Sequence, residues 1–157
     1  MNGWFNVELI PEQIAKVKRF IAEFQPKRVN IFSFAIWDQH QRERFTMGTR
    51  PHLEKVLGVP FNLVLSVDDD IIPICCREMN IARETVDFQE MSNFWGKQGA
   101  FRLCMRHHAK NMLRHGHPAL HAVLLDDVVH DEVLTWNDRD CKAVISQLNI
   151  YRLYADE

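Results

Sequence analysis

The sequence predicts an α/β fold: a three-layer, Rossmann-like domain with a short, mostly parallel sheet and helices on both faces. Three runs, Arg28–Trp37, Phe61–Leu65 and His121–Leu125, are nearly all apolar and too short for long helices, as expected of strands buried on both faces. Segments with helical periodicity separate them. Strands alternating with helices imply right-handed crossovers that cover a parallel sheet on both sides.

The elements follow in order. Ile10, Ile14, Val17, Ile21 and Phe24 recur at intervals of 4, 3, 4 and 3 residues, one stripe of an amphipathic helix. Pro11 suits its first turn and Pro26 lies just beyond its end. The first strand run is closed by the polar segment Asp38–Arg44. Pro51 opens a short helix with Leu53, Val56 and Leu57 inward and Gly58 as its C-cap. After the second strand, Ser66 or Asp68 caps a further helix, and Asp68, Asp69 and Asp70 suit its positive N-terminal end. A longer helix is expected over Met91–Leu113, packed through Phe94, Phe101, Cys104, Met105, His108 and Met112 and ended by Gly116 and Pro118. Asn137 with Asp140 resembles a capping box for a last helix carrying Cys141, Val144, Ile145 and Leu148. A final strand is expected near Ile150–Tyr154.

No repeat, low-complexity tract or Gly/Ser-rich linker divides the 157 residues, so one domain over residues 1–157 is expected. The hydrophobic fraction of 46% and charged fraction of 25% are those of a globular chain. A formal net charge of -2 gives no long-range attraction to a polyanion, which argues against whole-molecule nucleic-acid binding. No apolar stretch approaches the length of a membrane span, and Met1-Asn2-Gly3-Trp4 lacks a signal-peptide layout. Cys75, Cys76, Cys104 and Cys141 form no CxxC pair, which fits reduced thiols in the cytoplasm.

In open parallel sheets, ligands bind beyond the carboxyl ends of the strands. Asp38 follows the first strand, Ser66 the second, and Asp126 with Asp127 the third. Adjacent carboxylates there are hard oxygen donors suited to Mg²⁺, with Asp131 near enough in sequence to support them. Read more plainly, the same acids start a loop or cap a turn. Lys97, near the start of the long helix, is suited to holding a phosphate as a point charge, or is a solvated surface lysine.

Neither the phosphate-loop pattern nor GxGxxG is present, and there is no GxSxG elbow. Cys104, His108, His115, His117 and His121 contain zinc-ligand types but no zinc spacing. His107 and His108, with Arg102, Arg106, Lys110 and Arg114, form either a local basic face for an acidic partner or the wet side of a helix. Trp4, Trp37, Trp95 and Trp136 are expected as core or rim aromatics.

Taken together, a serine at a strand end, Lys97, and Leu124-Leu-Asp-Asp-Val-Val-His-Asp131 resemble the haloacid dehalogenase-like (HAD) superfamily over residues 28 to 148. The resemblance implies that the serine binds a phosphoryl group, Lys97 steadies it, and Asp126 and Asp127 hold Mg²⁺. Two alignments compete. Either Ile31-Phe-Ser33 supplies the serine motif and the DxDxT nucleophile strand is absent, or Trp37-Asp38 stands at the nucleophile and Ser66 supplies the serine. In the second, His40 occupies the place of the second aspartate. The first is favoured, because the helical stripe from 10 to 24 precedes it as in the family. Asp38 is the one carboxylate available as nucleophile, and the covalent scheme needs two.

The expected function is therefore that of a HAD-like protein engaging a phosphorylated small molecule or nucleotide. It is either a Mg²⁺-dependent phosphohydrolase, with Asp38, Ser33 and Lys97 catalytic and Asp126, Asp127 and Asp131 on the metal, or a degenerate relative. A non-enzymatic protein-interaction module is the alternative, and a nucleic-acid-binding or nuclease domain stands third.

Overall fold

The computed structural model describes residues 9–86, 96–117, 120–126, 135–138 and 143–149. The described chain is mixed α/β and divides into two compact units, one up to Asp69 and the other over Asp70–Asn149. Among the described residues, no helix is long and apolar enough to cross a membrane.

In the first unit, helix α1 runs over Pro11–Phe24 as the stripe predicts, burying Ile14 and Val17. It ends at Gln25 in the left-handed conformation (φ 52°), whose N–H reaches the Ile21 carbonyl. Strand β1 is Ile31–Phe32 and β2 is Val64–Leu65. They pair in parallel, Ile31 with Val64 and Phe32 with Leu65, so the predicted runs are paired over two residues each.

Between them lie α2 (Gln39–Met47) and α3 (Thr49–Leu57). Helix α2 corrects the reading of Asp38–Arg44 as a polar closing segment. Its one fully buried residue is Phe45, so almost no apolar stripe betrays it, and it rests on its cap and on packing against α3 and β2. Helix α3 ends at Gly58 with φ 74°, where a residue with a Cβ is strained. Phe45 stacks on Phe61 with centroids 6.4 Å apart, and Ile36, Leu53, Leu57, Val64 and Val67 complete this core.

A π-helical turn, Val67–Ile71, leads into α4 (Ile72–Met79). In the second unit α4 packs on α5 (Gly96–Arg114). Ile71, Ile72, Cys75, Cys76, Ala100, Phe101, Cys104, Ala109 and Leu124 are its buried residues. Residues 91–95, the predicted start of the long helix, lie outside the described residues.

Strand β3 is His121–Asp126, as the apolar run predicts, followed by β4 (Thr135–Asp138) and β5 (Ala143–Asn149). The order is β3-β5-β4, with β5 parallel to β3 and antiparallel to β4. This overturns the predicted last helix: Asn137 lies within β4 rather than capping, and Val144, Ile145 and Leu148 lie in a central strand. β-Branched neighbours and pairing on both sides outweigh the helical spacing of Cys141, Val144, Ile145 and Leu148. The strand expected at Ile150–Tyr154 lies outside the described residues. The described ladders form a two-stranded parallel sheet and a three-stranded mixed one, each within its own unit.

Candidate functional site

The carboxyl edge of the β1–β2 pair is built from the backbone outward. Phe32 and Leu65 are register partners, so the next residues, Ser33 and Ser66, leave the two strands at matched positions. The segments beyond stay joined: Val67 N–H donates to the Ile36 carbonyl and Asp68 N–H to the Trp37 carbonyl, both at 2.9 Å. Ser33 is half-buried, and its Oγ accepts the Ala35 N–H at 3.2 Å.

Ser66 is fully buried, and a hydroxyl there is costly unless it is hydrogen-bonded. Its Oγ accepts from the Asp69 N–H at 3.2 Å and from Arg42 Nη2 at 2.9 Å. Of the two expected caps, Ser66 and Asp68, it is Ser66 that accepts an N–H of the π-helical turn, whereas α4 itself follows Ile71 without a side-chain cap. The same Arg42 nitrogen lies 3.2 Å from Asp69 Oδ2, in an ion pair whose carboxylate side is about half exposed.

Asp38 is the N-cap of α2. Its backbone is extended (φ -145°), and its Oδ1 accepts the Gln41 N–H at 2.9 Å. Gln41 stands where a capping box would return a hydrogen bond to the cap. Its Oε1 is instead buried and accepts no hydrogen bond among the described residues. Asp38 thus has a structural role that the sequence reading did not give it, although Asp38-x-x-Gln41 is a legible signal. Arg42 was missed altogether. Nothing local marks a pairing with a residue 24 positions away.

In the second unit, Lys97 is the second residue of α5 and is half-buried. Asp126 is the last residue of β3, paired with Asn149. Asp127 and Asp131 lie outside the described residues. Ser33, Ser66 and Asp38 therefore share the β1–β2 edge, whereas Lys97 and Asp126 belong to the other unit. Among the described residues, no three His, Cys, Asp or Glu side chains converge as a metal site, the Cys104–His108 turn included.

The basic residues of α5 have a partner the sequence did not disclose. Glu78 of α4, 7% exposed, receives Lys110 Nζ at 2.8 Å, with His107 Nδ1 at 3.5 Å and Arg106 Nε at 3.6 Å. Part of the proposed basic face is thus spent on a buried carboxylate that ties α5 to α4. Beside it, the Cys75 thiol approaches the Ala100 carbonyl at 3.7 Å. A hydrogen bond with Cys75, and then burial, push the Cys104 thiol far above its ordinary range, and burial raises that of Cys76.

No family model, curated protein or solved structure matches the chain.

Proposed function

We propose that the protein binds the phosphate of a small phosphorylated metabolite or nucleotide at the carboxyl edge of β1 and β2, as a HAD-like protein without a complete nucleophile. The observation that carries the reading is the matched exit of Ser33 and Ser66 from paired parallel strands, with the Arg42 guanidinium on Ser66. A guanidinium and the half-buried Ser33 hydroxyl are suited to phosphoryl oxygens, with the fully buried Ser66 hydroxyl holding the guanidinium, and carboxyl ends of parallel strands are where such ligands gather. Asp38 in use as a helix cap supports binding without hydrolysis. The proposal includes the finer fold assignment, a three-layer Rossmann-like domain. Free thiols at Cys75, Cys76 and Cys104 support a reducing, cytoplasmic setting.

The test is calorimetric titration of the whole chain with inorganic phosphate and ribose 5-phosphate. Both bind, and Arg42→Ala weakens both at least about tenfold, the loss of one charge-assisted contact. Unchanged affinity in that variant sinks the proposal.

A second reading is a Mg²⁺-dependent phosphohydrolase in which Asp126, Asp127 and Asp131 hold the ion and Lys97 meets the phosphate. Asp126 at the carboxyl end of a strand in a parallel pair favours it. It requires Mg²⁺-dependent cleavage of p-nitrophenyl phosphate, lost in the double variant Asp126→Asn, Asp127→Asn. A non-enzymatic interaction module, the first alternative, binds neither phosphate nor Mg²⁺.

A further inference from the structure

We propose that the bound phosphate belongs to a nucleotide and that the Trp37 indole is the platform on which its base stacks. The inference rests on the phosphate-binding reading and adds the ligand class.

Trp37 is 46% exposed, yet its backbone is fixed. Its carbonyl accepts the Asp68 N–H, and the preceding residue, Ile36, is fully buried with its own carbonyl held by Val67 N–H. The following residue is the Asp38 cap. A tryptophan on a mobile surface loop has no such restraints. Here a large apolar ring is left in water from a backbone pinned at three successive residues, beside the paired strand ends.

Capping geometry then relates this ring to the phosphate-binding cation. With Asp38 as N-cap, Trp37 stands at the position before the cap and Arg42 at the fourth helical position. Those two places flank the same helix entry, where in other helices an apolar pair often closes over the first turn. Here the fourth position carries a guanidinium directed at Ser66 and Asp69. An exposed indole and a cation borne at one helix entry match the two ends of a nucleoside monophosphate, a planar base and an anionic phosphate. Every base has a π-face, and a purine offers the larger one. A sugar phosphate offers the indole nothing to stack on.

The experiment compares adenosine monophosphate, ribose 5-phosphate and adenosine by calorimetry on the full chain. Adenosine monophosphate binds about tenfold more tightly than ribose 5-phosphate, within the range for stacking one base on an aromatic side chain. Trp37→Ala removes that advantage while leaving ribose 5-phosphate within about twofold, and Trp37→Phe keeps most of it. Circular dichroism melts of both variants control for folding. Equal affinity for the two phosphates in the native protein, or a preference that survives Trp37→Ala, overturns the stacking role and leaves the phosphate reading standing. Adenosine binding as tightly as its monophosphate overturns the nucleotide assignment through its phosphate half.

Discussion

Arg42 Nη2 lies 2.9 Å from the Ser66 hydroxyl and 3.2 Å from Asp69 Oδ2, so one guanidinium nitrogen is shared between a buried neutral acceptor and a half-exposed carboxylate. The two attachments differ in kind. The Ser66 contact meets the need of a hydroxyl with no access to water. The Asp69 contact is a rim ion pair of the sort that contributes about 0–1 kcal/mol and is screened by salt. Under the phosphate-binding proposal, an arriving phosphate would compete with Asp69 rather than with Ser66.

Asp69→Asn is therefore expected to tighten inorganic phosphate binding by about threefold at low ionic strength, an advantage that shrinks in about 0.5 M salt. Titrations at two salt concentrations measure it. Weaker binding in the variant would show that Asp69 holds the guanidinium in place for the ligand instead of competing for it.

At Asp38 the cap and the proposed nucleophile can be separated. Asp38→Ala loses the oxygen that accepts the Gln41 N–H and costs about 1 kcal/mol in a urea melt, whereas Asp38→Asn keeps a cap and costs a few tenths at most. Phosphate binding survives in Asp38→Asn. A phosphatase activity that disappears in that variant while stability holds would give the carboxylate a chemical role.

Glu78 is expected to matter more than any single cation around it. Glu78→Ala leaves three basic side chains without their common partner and costs about 2 kcal/mol, discounted from the buried-pair range because Arg106 and Lys110 are 34% and 40% exposed. Lys110→Met costs less than about 1 kcal/mol, since Arg106 and His107 remain beside the carboxylate. Thermal melts of the two variants should rank in that order, and the reverse ranking would mean the cluster is not organised around Glu78.

Gln25 ends α1 at φ 52°, a conformation that costs a side chain with a Cβ and costs glycine nothing. Gln25→Gly is expected to stabilise the protein by about 0.5–1 kcal/mol, read as a higher urea midpoint at unchanged slope. A lower midpoint would show that the glutamine side chain contributes more than the backbone costs.

The Cys104 and Cys76 thiols are held protonated, Cys104 by its hydrogen bond with Cys75 and by burial, Cys76 by burial. Because the thiolate is the nucleophile, iodoacetamide at pH 8 should label neither in the native protein and both in urea. The linkage has a definite sign. These acids titrate later folded than unfolded, so their contribution is intact below an unfolded thiol pKa of about 8.5 and declines as the pH rises above it. Native labelling of Cys104 at the unfolded rate would contradict the packing of α4 against α5.

What the sequence makes legible is what local chemistry specifies. The α1 stripe, the Gly58 C-cap and the apolar run of β3 each signal themselves within a few residues. Helix α2 does not, because its residues are nearly all polar and its stability comes from Asp38 and from one buried ring, Phe45. The 143–149 segment was misread because three apolar positions at helical spacing also fit a strand paired on both sides. At the candidate edge, Ser66 and Asp38 could be named because each adjoins a strand run. Arg42 and Glu78 could not, because their partners lie 24 and up to 32 positions away, and only the fold brings them near.

The position of β5 between β3 and β4 bears on how the second sheet is made. Its middle member comes last in chain order, so β3 waits across the whole intervening stretch for the neighbour that completes its ladder. Parallel pairing over such a separation is slow to close, and an apolar strand without its neighbour invites association with other chains. Until Ala143–Asn149 docks, β3 keeps an open edge, so the closing of this ladder is the moment in refolding when the unit is most prone to join other chains.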